Sequence, residues 1–521
     1  MCSYLSFFKQ NTFHIHLSDN LYNNVDRYSR EESLNLYAAF RLWSDDPAVA
    51  GLNRRANESY TRAQFDHVQT QCARRGVTII PEIEAPGHAL VIVQWKPQLG
   101  LDDLSMLNIS HPETIPTLKT IWRTFLPWFS SKVVHIGADE YDTNLVPDYT
   151  RFVNEMNDFI RQESAGRQEM RIWGTFTPAQ GANISKSVSY QHWDTNADQP
   201  YYDYIENGYD VLNSDDYLYV VGGWSESFPQ ELELSRVFQG PYGKGYSPVI
   251  FDSSTAGDNP PRNHPRVLGQ VAALWNDYGS NATTVLQAYY SWRKALPALA
   301  DKQWGGQITE AEYRSVIARL HAASPGQNLD RRIPSQNGTI LHYTFDTDSE
   351  ATETTQVTDH SGNGYHGTVH GCRIAEGTLF LANGCYLATP LDSKGRDYTL
   401  SFRVKPSGDS PGTLFEGRDS TLVTGTGTIG GVTLISGSAF ALNYSLPAQT
   451  WTEVQLVGRG NSTLLTVDSK GTRQGIEFRA GIGVNGESMA WAPIGVEAPL
   501  ARVGEGFNGQ MQQIRLMERA S

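Results

Sequence analysis

Two adjacent acids, Asp139 and Glu140, are the residues in this sequence best suited to catalysis. They follow a short β-branched run, Val133–Ile136, and the pair Gly137-Ala138. A continuous apolar run predicts a buried parallel strand, and catalytic residues of (β/α)8 barrels follow the carboxyl ends of such strands. Two carboxylates there can divide acid and base chemistry at a glycosidic bond, because one stays protonated while the other stays charged. The alternative is that either acid only caps the following helix.

The elements that must position these acids alternate between strands and helices along residues 1–325. The sequence predicts strands at 11–17, 77–83, 133–136, 170–173, 188–193, 209–213 and 267–275. It predicts helices at 61–75, 115–129, 149–161, 283–299 and 310–321. Strands and helices at this spacing predict an α/β, TIM-type parallel barrel. Seven strands can be recognised, and we expect the eighth, the first of the barrel, to precede residue 1.

The composition changes after the barrel. The 521 residues are too many for one hydrophobic core. Residues 326–338 are polar, contain Pro and Gly, and predict a linker. Residues 339–521 carry short alternating strands punctuated by Gly and Ser, which predict an all-β jelly-roll sandwich.

The charge and hydropathy of the chain exclude some classes of partner. With 42 basic and 56 acidic side chains the net charge is -14, which disfavours nucleic acid and suits a neutral ligand such as a sugar. Aromatic residues make up 11% of the chain and could stack on sugar faces. No apolar run of ~18 residues predicts a membrane span. The first ten residues have no basic region and no long apolar region, so no signal peptide is predicted.

Cysteines and glycosylation sequons bear on the compartment. Cys372 and Cys385 are close enough for a local disulfide, whereas Cys2 and Cys72 are predicted to be buried thiols. No cysteine spacing indicates a metal site, and we expect none. Seven sequons favour a eukaryotic secreted glycoprotein, and without a signal peptide they suggest that upstream residues are missing. The sequons begin at Asn57, Asn108, Asn183, Asn281, Asn337, Asn443 and Asn461.

Three motifs, taken in chain order, resemble the signatures of glycoside hydrolase family 20, which holds β-N-acetylhexosaminidases and lacto-N-biosidases. They are H-I-H-L-S-D at His14–Asp19, P-E-I-E-A-P-G-H-A at Pro81–Ala89 and H-I-G-A-D-E at His135–Glu140. Aromatic residues further along match the pocket positions of the family. These are Trp173, Trp193, Tyr217 and Trp275. The resemblance covers roughly residues 1–325.

The resemblance implies a substrate-assisted mechanism, which the family uses in place of a protein nucleophile. The acetamido oxygen of the substrate would attack the anomeric carbon, so that the configuration is retained. Glu140 would protonate the leaving oxygen and then activate water, Asp139 would hold the acetamide N–H, and Tyr217 would bind the acetamide oxygen. The resemblance implies neither a cofactor nor a metal. Placing two acids together is also expected to raise the pKa of one of them.

Other residues near the strand ends could have either a role in the site or a structural role. Trp173, Trp193 and Trp275 are expected to form pocket walls, and the alternative is that they belong to the core. His88 follows a Pro-Gly turn, and the motif match favours an orienting partner of the acids over a structural role. Asp19 is a candidate for the same role. The histidines inside the strands, His14, His16 and His135, are expected to be hydrogen-bonded in the barrel interior.

Three positions depart from the family pattern. Tyr219 stands where the motif usually has Asp, Asp277 stands where it usually has Glu, and Asn20 replaces a second Asp. Acids at these positions would close the pocket around one terminal sugar, so their loss makes room for another. The sequences Y-L-Y and W-N-D resemble the lacto-N-biosidase branch, in which Asp277 would bind the second sugar.

The C-terminal motifs Y-T-F-D at Tyr343–Asp346 and D-H-S-G-N-G-Y-H-G at Asp359–Gly367 resemble laminin-G/concanavalin A-like domains. Such a domain could hold a second carbohydrate site or serve only as a structural appendage. Three functions remain open for the whole chain. They are release of lacto-N-biose, release of single N-acetylhexosamine units, and glycan binding without catalysis on a truncated barrel.

Overall fold

The computed structural model describes most of the chain. The described residues are 1–141, 143–176, 183–194, 201–222, 225, 228–240, 259–261, 263–277, 284–325, 328–346, 354–382, 384–426, 430–469, 471–484 and 488–518. Within them the first half is α/β and the second half is all-β. The described residues include no helix long and apolar enough to cross a membrane.

A curled parallel sheet of seven strands forms the first half, as predicted. The strands lie in the sheet in their chain order: Thr12–His16, Thr78–Glu82, Val133–His135, Glu169–Trp173, Ser189–His192, Val211–Asn213 and Val267–Gln270. All neighbouring pairs are parallel, so the carboxyl ends of the strands meet at one rim. The predicted last strand is divided, because Leu274–Trp275 pairs separately with Val220–Val221.

Helices follow most of these strands and cover the sheet. They are Cys2–Phe7, Arg30–Leu34, Arg62–Ala73, Leu90–Trp95, Thr114–Phe125, Val146–Glu163, Leu234–Gln239, Val285–Trp292, Leu296–Gln303 and Glu310–Ala323. Several begin at capping boxes, such as Thr61 with Gln64. The single helix predicted at 283–299 is wrong, because two helices meet there. Pro297 lacks the N–H that a continuous helix would bond to the Arg293 carbonyl, so the first helix ends at Trp292 and the second begins at Leu296.

The segment after the first strand contains short helices and a strand of its own. Helix Arg30–Leu34 is followed by strand Ala38–Phe40, which pairs antiparallel with Ser18–Asn20. In that pairing Asp19 lies opposite Ala39. The short sheet therefore holds Asp19 at the rim of the barrel, directly after the first strand.

The second half consists of two antiparallel sheets, so the predicted all-β sandwich is confirmed. The first sheet contains Thr339–Tyr343, Arg373–Ala375, Thr378–Leu381, Tyr398–Pro406, Thr452–Arg459, Ser462–Ser469, Thr472–Glu477 and Gly509–Met517. The second contains Thr354–Val357, Gly367–His370, Tyr386–Ala388, Thr413–Glu416, Thr421–Gly425, Gly430–Ser436, Ser438–Ala441 and Arg502–Val503. Two strand pairs complete it, Ser393–Lys394 with Ala498–Pro499 and Arg479–Val484 with Ser488–Pro493. Strand Tyr398–Pro406 alternates buried and partly buried residues along most of its length, as expected when one face covers a core.

The two halves have separate hydrophobic cores. One core runs from Tyr4 to Tyr313 and the other from Ile340 to Leu516. Asp330 lies between the two cores in the sequence and is hydrogen-bonded to side chains of the first half. Its carboxylate accepts hydrogen bonds from Arg293 at 2.6 Å and from the Tyr289 hydroxyl at 3.2 Å.

All four cysteines form disulfides. The predicted local disulfide between Cys372 and Cys385 is confirmed. The prediction of buried thiols at Cys2 and Cys72 is wrong, because these residues form a disulfide between the first helix and helix Arg62–Ala73. Their Cα atoms lie 5.1 Å apart although 70 positions separate them in the sequence. Such a contact depends on how the helices pack, which cysteine spacing alone does not show.

Candidate active site

The loop after strand Val133–His135 presents Asp139 and Glu140 at the barrel rim. Gly137, Ala138 and Glu140 all have positive φ angles, of 74°, 73° and 47°. A hydrogen bond holds the loop to the buried residue Glu84, whose Oε1 accepts the Ala138 amide at 3.0 Å. A Cβ atom at position 137 would collide with the Glu84 carboxylate, so only glycine fits there.

The loop that carries His88 packs against the acid-bearing loop. A Cβ atom on Gly87 would lie 2.7 Å from the carbonyl oxygen of Asp139, so the two backbones approach each other very closely. The neighbouring His88 has a φ of 47°. This close approach directs its imidazole toward both acids: His88 Nε2 lies 3.0 Å from Glu140 Oε2 and 3.8 Å from Asp139 Oδ2.

Asp19, His88 and Glu140 form a continuous hydrogen-bonded row. Asp19 Oδ1 lies 3.1 Å from His88 Nδ1, and the other ring nitrogen faces Glu140. The three residues come from three different segments that follow neighbouring strands of the sheet, Asp19 from the short strand Ser18–Asn20 and the other two from loops. The structure thus places His88 and Asp19 beside the acids, where the sequence predicted orienting partners.

Asp139 and Glu140 differ in their surroundings. The Asp139 side chain is only 18% exposed, and its Oδ1 is buried without a hydrogen-bond partner in the described part of the chain. The Glu140 side chain is 56% exposed and lies at the solvent-accessible rim of the barrel. A buried, unpaired carboxylate oxygen is costly unless a ligand supplies the missing donor.

The pKa values follow from these surroundings. Burial raises the pKa of Asp139 to about 6, and the neighbouring charge of Glu140 adds to the shift. The hydrogen bond from His88 lowers the pKa of Glu140. Burial lowers the pKa of His88, but the carboxylates of Asp19, Glu140 and Asp139 together outweigh it and raise that pKa well above its usual range. One acid therefore has a raised pKa, but it is Asp139 and not the predicted proton donor Glu140, and the proton near Glu140 is held by His88.

The tryptophans occupy different levels of the barrel. Trp173 is 3% exposed, and its indole N–H donates to Glu82 Oε1 at 2.7 Å, so it forms the floor beneath the acids. Trp275 lies above it, with ring centroids 5.9 Å apart, and is partly buried. Trp193 is partly buried and donates to the Gly174 carbonyl at 2.6 Å. Trp193 and Trp275 therefore remain available as walls, whereas Trp173 supports them from below.

Tyr217 lies in a short 3-10 turn, Asp216–Leu218, after the sixth strand. The turn begins with Asp215, whose Oδ1 accepts the Tyr217 amide at 3.2 Å. The Tyr217 hydroxyl accepts a hydrogen bond from Gln270 at 3.2 Å. The phenol is 8% exposed and is held by a side chain from the last strand of the sheet.

The positions that depart from the family pattern have distinct surroundings. Asp277 is exposed at the mouth, yet partial desolvation raises its pKa to about 6, with Asp19 adding to the shift. Tyr219 is buried, and the centroid of its ring lies 5.8 Å from the ring centroid of Trp275. The Asn20 side chain accepts a hydrogen bond from the Leu90 amide at 3.1 Å, across the neighbouring loop, and donates to the Leu21 carbonyl.

Two buried acids of the motif P-E-I-E were given no role by the sequence. Glu82 is 0% exposed and lies among His14, His16 and His135, and Glu84 is 1% exposed beneath the acid loop. Burial raises the pKa of Glu84 well above its usual range, and the charge of Asp139 adds to that shift. The sequence signal that could have pointed to these two acids is their position at the end of a buried strand. Some of these imidazole and carboxylate groups are close enough to share a cation, and His16 and Glu82 are hydrogen-bonded to each other.

The sequence model of the glycosyl hydrolase family 20 catalytic domain matches residues 1–307, which is more than half of the chain. The chain belongs to glycosyl hydrolase family 20. The seven-stranded parallel sheet and the acid-bearing loop described above lie within the matched region. The family assignment thus agrees with the motifs identified in the sequence.

Relatives in this family include enzymes of two specificities. A lacto-N-biosidase of Bifidobacterium bifidum is 23% identical over 248 residues, which cover 42% of this chain and 21% of the relative. A β-hexosaminidase of Vibrio furnissii is 30% identical over 159 residues, which cover 28% of this chain and 25% of the relative. The chain thus spans about a quarter or less of the length of these two relatives. A β-N-acetylhexosaminidase structure from Bacteroides fragilis aligns at 19% identity with a TM-score of 0.46, covering 62% of this chain and 66% of that one.

Proposed function

We propose that this protein is a retaining, substrate-assisted exo-glycosidase acting on glycans that contain β-linked N-acetylglucosamine. The observation that carries the proposal is the pairing of two unlike acids at one rim. Asp139 offers a buried oxygen that lacks a donor, and Glu140 is exposed and hydrogen-bonded to His88. Membership of family 20 supports the same assignment.

In the first step the acetamido oxygen of the substrate attacks the anomeric carbon, and the bond from that carbon to the leaving oxygen breaks. The proton held between His88 and Glu140 passes through Glu140 to the leaving oxygen. Asp139 Oδ1 accepts the acetamide N–H and stabilises the positive charge of the oxazolinium intermediate. The Tyr217 hydroxyl, held by Gln270, donates to the acetamide oxygen and orients it.

In the second step water attacks the anomeric carbon from the side that the leaving group vacated. Glu140, now ionised, takes the proton from this water, and the carbon–oxygen bond of the oxazolinium ring breaks. The acetamide is regenerated and the anomeric configuration is retained. The protein contributes no covalent bond in either step.

We expect activity to fall below about pH 6, because Asp139 must be charged to stabilise the intermediate. Its pKa is about 6, so kcat/KM for a substrate with an activated leaving group should decrease about tenfold per pH unit on the acid side. The charges that face Asp139 include Glu140 and Glu82, which raise its pKa, and His88, which lowers it. The measurement is the pH profile of kcat/KM.

The variant His88→Gln provides the control for this assignment. Removing the imidazolium should shift the acid limb to higher pH, because Asp139 then binds its proton more tightly. An acid limb that stays in place in His88→Gln would contradict the assignment to Asp139.

We further propose that the released unit is the disaccharide lacto-N-biose. Asp277 is one methylene shorter than the glutamate of the family pattern, and Tyr219 replaces an acid. The space this creates can hold a β1-3 galactose, whose hydroxyls Asp277 would bind. Asp277 lies close enough to Asp19 and Glu140 for their charges to raise its pKa, so it is at the same end of the barrel as the acids.

Asp277→Glu should shift the preference toward single sugars. The added methylene crowds the galactose, so the ratio of lacto-N-biose to N-acetylglucosamine release should fall about 10- to 100-fold. Product analysis with lacto-N-tetraose and a terminal N-acetylglucosaminide would measure it. Asp158→Glu, on an exposed helix position, is the matched control. Free N-acetylglucosamine as the main product of the unmodified protein from both substrates would instead favour a β-N-acetylhexosaminidase.

The remaining proposals concern the rest of the chain. We propose that residues 1–325 and 339–521 are separate domains joined by the linker at 326–338, which the two hydrophobic cores support. We also propose that the protein is a secreted glycoprotein, since the sequons at Asn57, Asn183 and Asn461 are exposed. The resemblance of the sandwich to laminin-G domains, and a second carbohydrate site in it, stay predictions.

A further inference from the structure

The row that ends at Glu140 continues inward beyond Asp19. Asp19 Oδ2 lies 3.1 Å from His16 Nε2, and His16 Nδ1 lies 2.5 Å from Glu82 Oε2. With the contacts of Asp19 to His88 and of His88 to Glu140, five side chains form one uninterrupted row. It starts at a carboxylate in the barrel interior and ends at an exposed acid.

The row alternates in charge. Each of its two imidazoles faces a carboxylate oxygen from both ring nitrogens, so each is best satisfied as an imidazolium that donates on both sides. Glu82 is completely buried, and its ionised form depends on the surrounding imidazoles and the Trp173 N–H. A buried anion in turn favours the charged form of His16. The alternation of acid and base therefore extends from Glu82 to Glu140.

We propose that His16 and Glu82 are positioning residues for Glu140. Glu82 keeps His16 charged, and Asp19 then lies between two imidazolium groups, His16 and His88. In this position Asp19 keeps His88 oriented with its Nε2–H toward Glu140. Without the positive charge of His16, the negative charge of Asp19 acts on His88 alone, so the imidazolium holds its Nε2 proton more tightly and passes it to Glu140 less readily. The inference rests on the proposed function, since it requires Glu140 to be the proton donor.

His16 also has a structural contact that must be separated from this role. Its ring meets Trp275 edge to face, with centroids 5.3 Å apart, so a substitution could disturb the pocket wall. A disturbed wall weakens binding of every substrate. A disturbed proton supply harms only substrates whose leaving group needs protonation.

The test compares two substrates of the same glycone, one with a poor leaving group and one with an activated aryl leaving group. For His16→Gln we expect kcat/KM to fall at least about tenfold more on the poor leaving group. Trp275→Phe is the control for the structural contact, because Trp275 packs against the His16 ring but is not one of the five side chains of the row. It should lower activity equally on both substrates.

Equal losses on both substrates in His16→Gln would overturn the inference. If His16→Gln does not fold, Glu82→Gln interrupts the row at its inner end and should give the same asymmetry. Glu140→Gln is assayed in parallel. If Glu140→Gln itself shows no dependence on the leaving group, the proposed function fails and the inference with it. If it does and His16→Gln does not, only the inference fails.

Discussion

Glu140→Gln is expected to lower kcat about 10²- to 10⁴-fold on a natural glycan, which has a poor leaving group. Glutamine keeps the shape of the side chain and a hydrogen bond to His88, but its neutral amide can neither take up a proton from His88 nor pass one to the leaving oxygen. An activated aryl leaving group departs without protonation, so the first step on that substrate should slow far less. Steady-state kinetics on both substrate types measure the contrast.

The matched control for this prediction is Glu169→Gln. Glu169 begins the strand Glu169–Trp173, at the end of the sheet opposite the acids, and pairs on the surface with Lys132 at 2.9 Å. Its loss should leave kcat unchanged. Near-full activity of Glu140→Gln on a natural glycan would show that another group donates the proton.

Asp139→Asn is expected to lower kcat/KM about 10²- to 10³-fold on both substrate types. Asp139 acts on the positive charge of the oxazolinium, which forms whichever leaving group departs. Asparagine can still accept the acetamide N–H through its oxygen, but it carries no negative charge. The measurement is kcat/KM on the same two substrates at pH 7.

The contrast between the two variants identifies the roles of the two acids. Glu140→Gln should distinguish leaving groups and Asp139→Asn should not. If Asp139→Asn spared the activated substrate, Asp139 would be acting on the leaving group. The roles of the two acids in the mechanism would then have to be exchanged.

Part of the site was accessible from local sequence patterns. The apolar run before Asp139 and Glu140 predicted a strand a few residues ahead of the acids, and the structure has the strand Val133–His135 there. The positions of Asp19 and His88 after two other strands also predicted their gathering at one rim. These predictions succeed because strand formation and alternation are decided by neighbouring residues, and parallel strands bring their carboxyl ends together.

Other features could not be read from local patterns. Pro297 divides a helix that apolar periodicity joined, and Cys2 meets Cys72 only because two helices pack side by side. Asp139 is the acid with the raised pKa because its burial contributes more to the shift than the neighbouring charge of Glu140. Burial depends on the whole fold and not on the spacing of the two acids.

The sequence by itself determined the parallel strands, the pair of acids at a strand end and the family motifs, since each depends on residues within a few positions of one another. Only the tertiary structure decided which side chains touch. His88 is 52 positions from Glu140 and 69 from Asp19, and Glu82 is 66 from His16, yet all are hydrogen-bonded in one row. Such contacts arise from the curl of the sheet and the close approach of its loops, which bring distant positions together and exclude water around them.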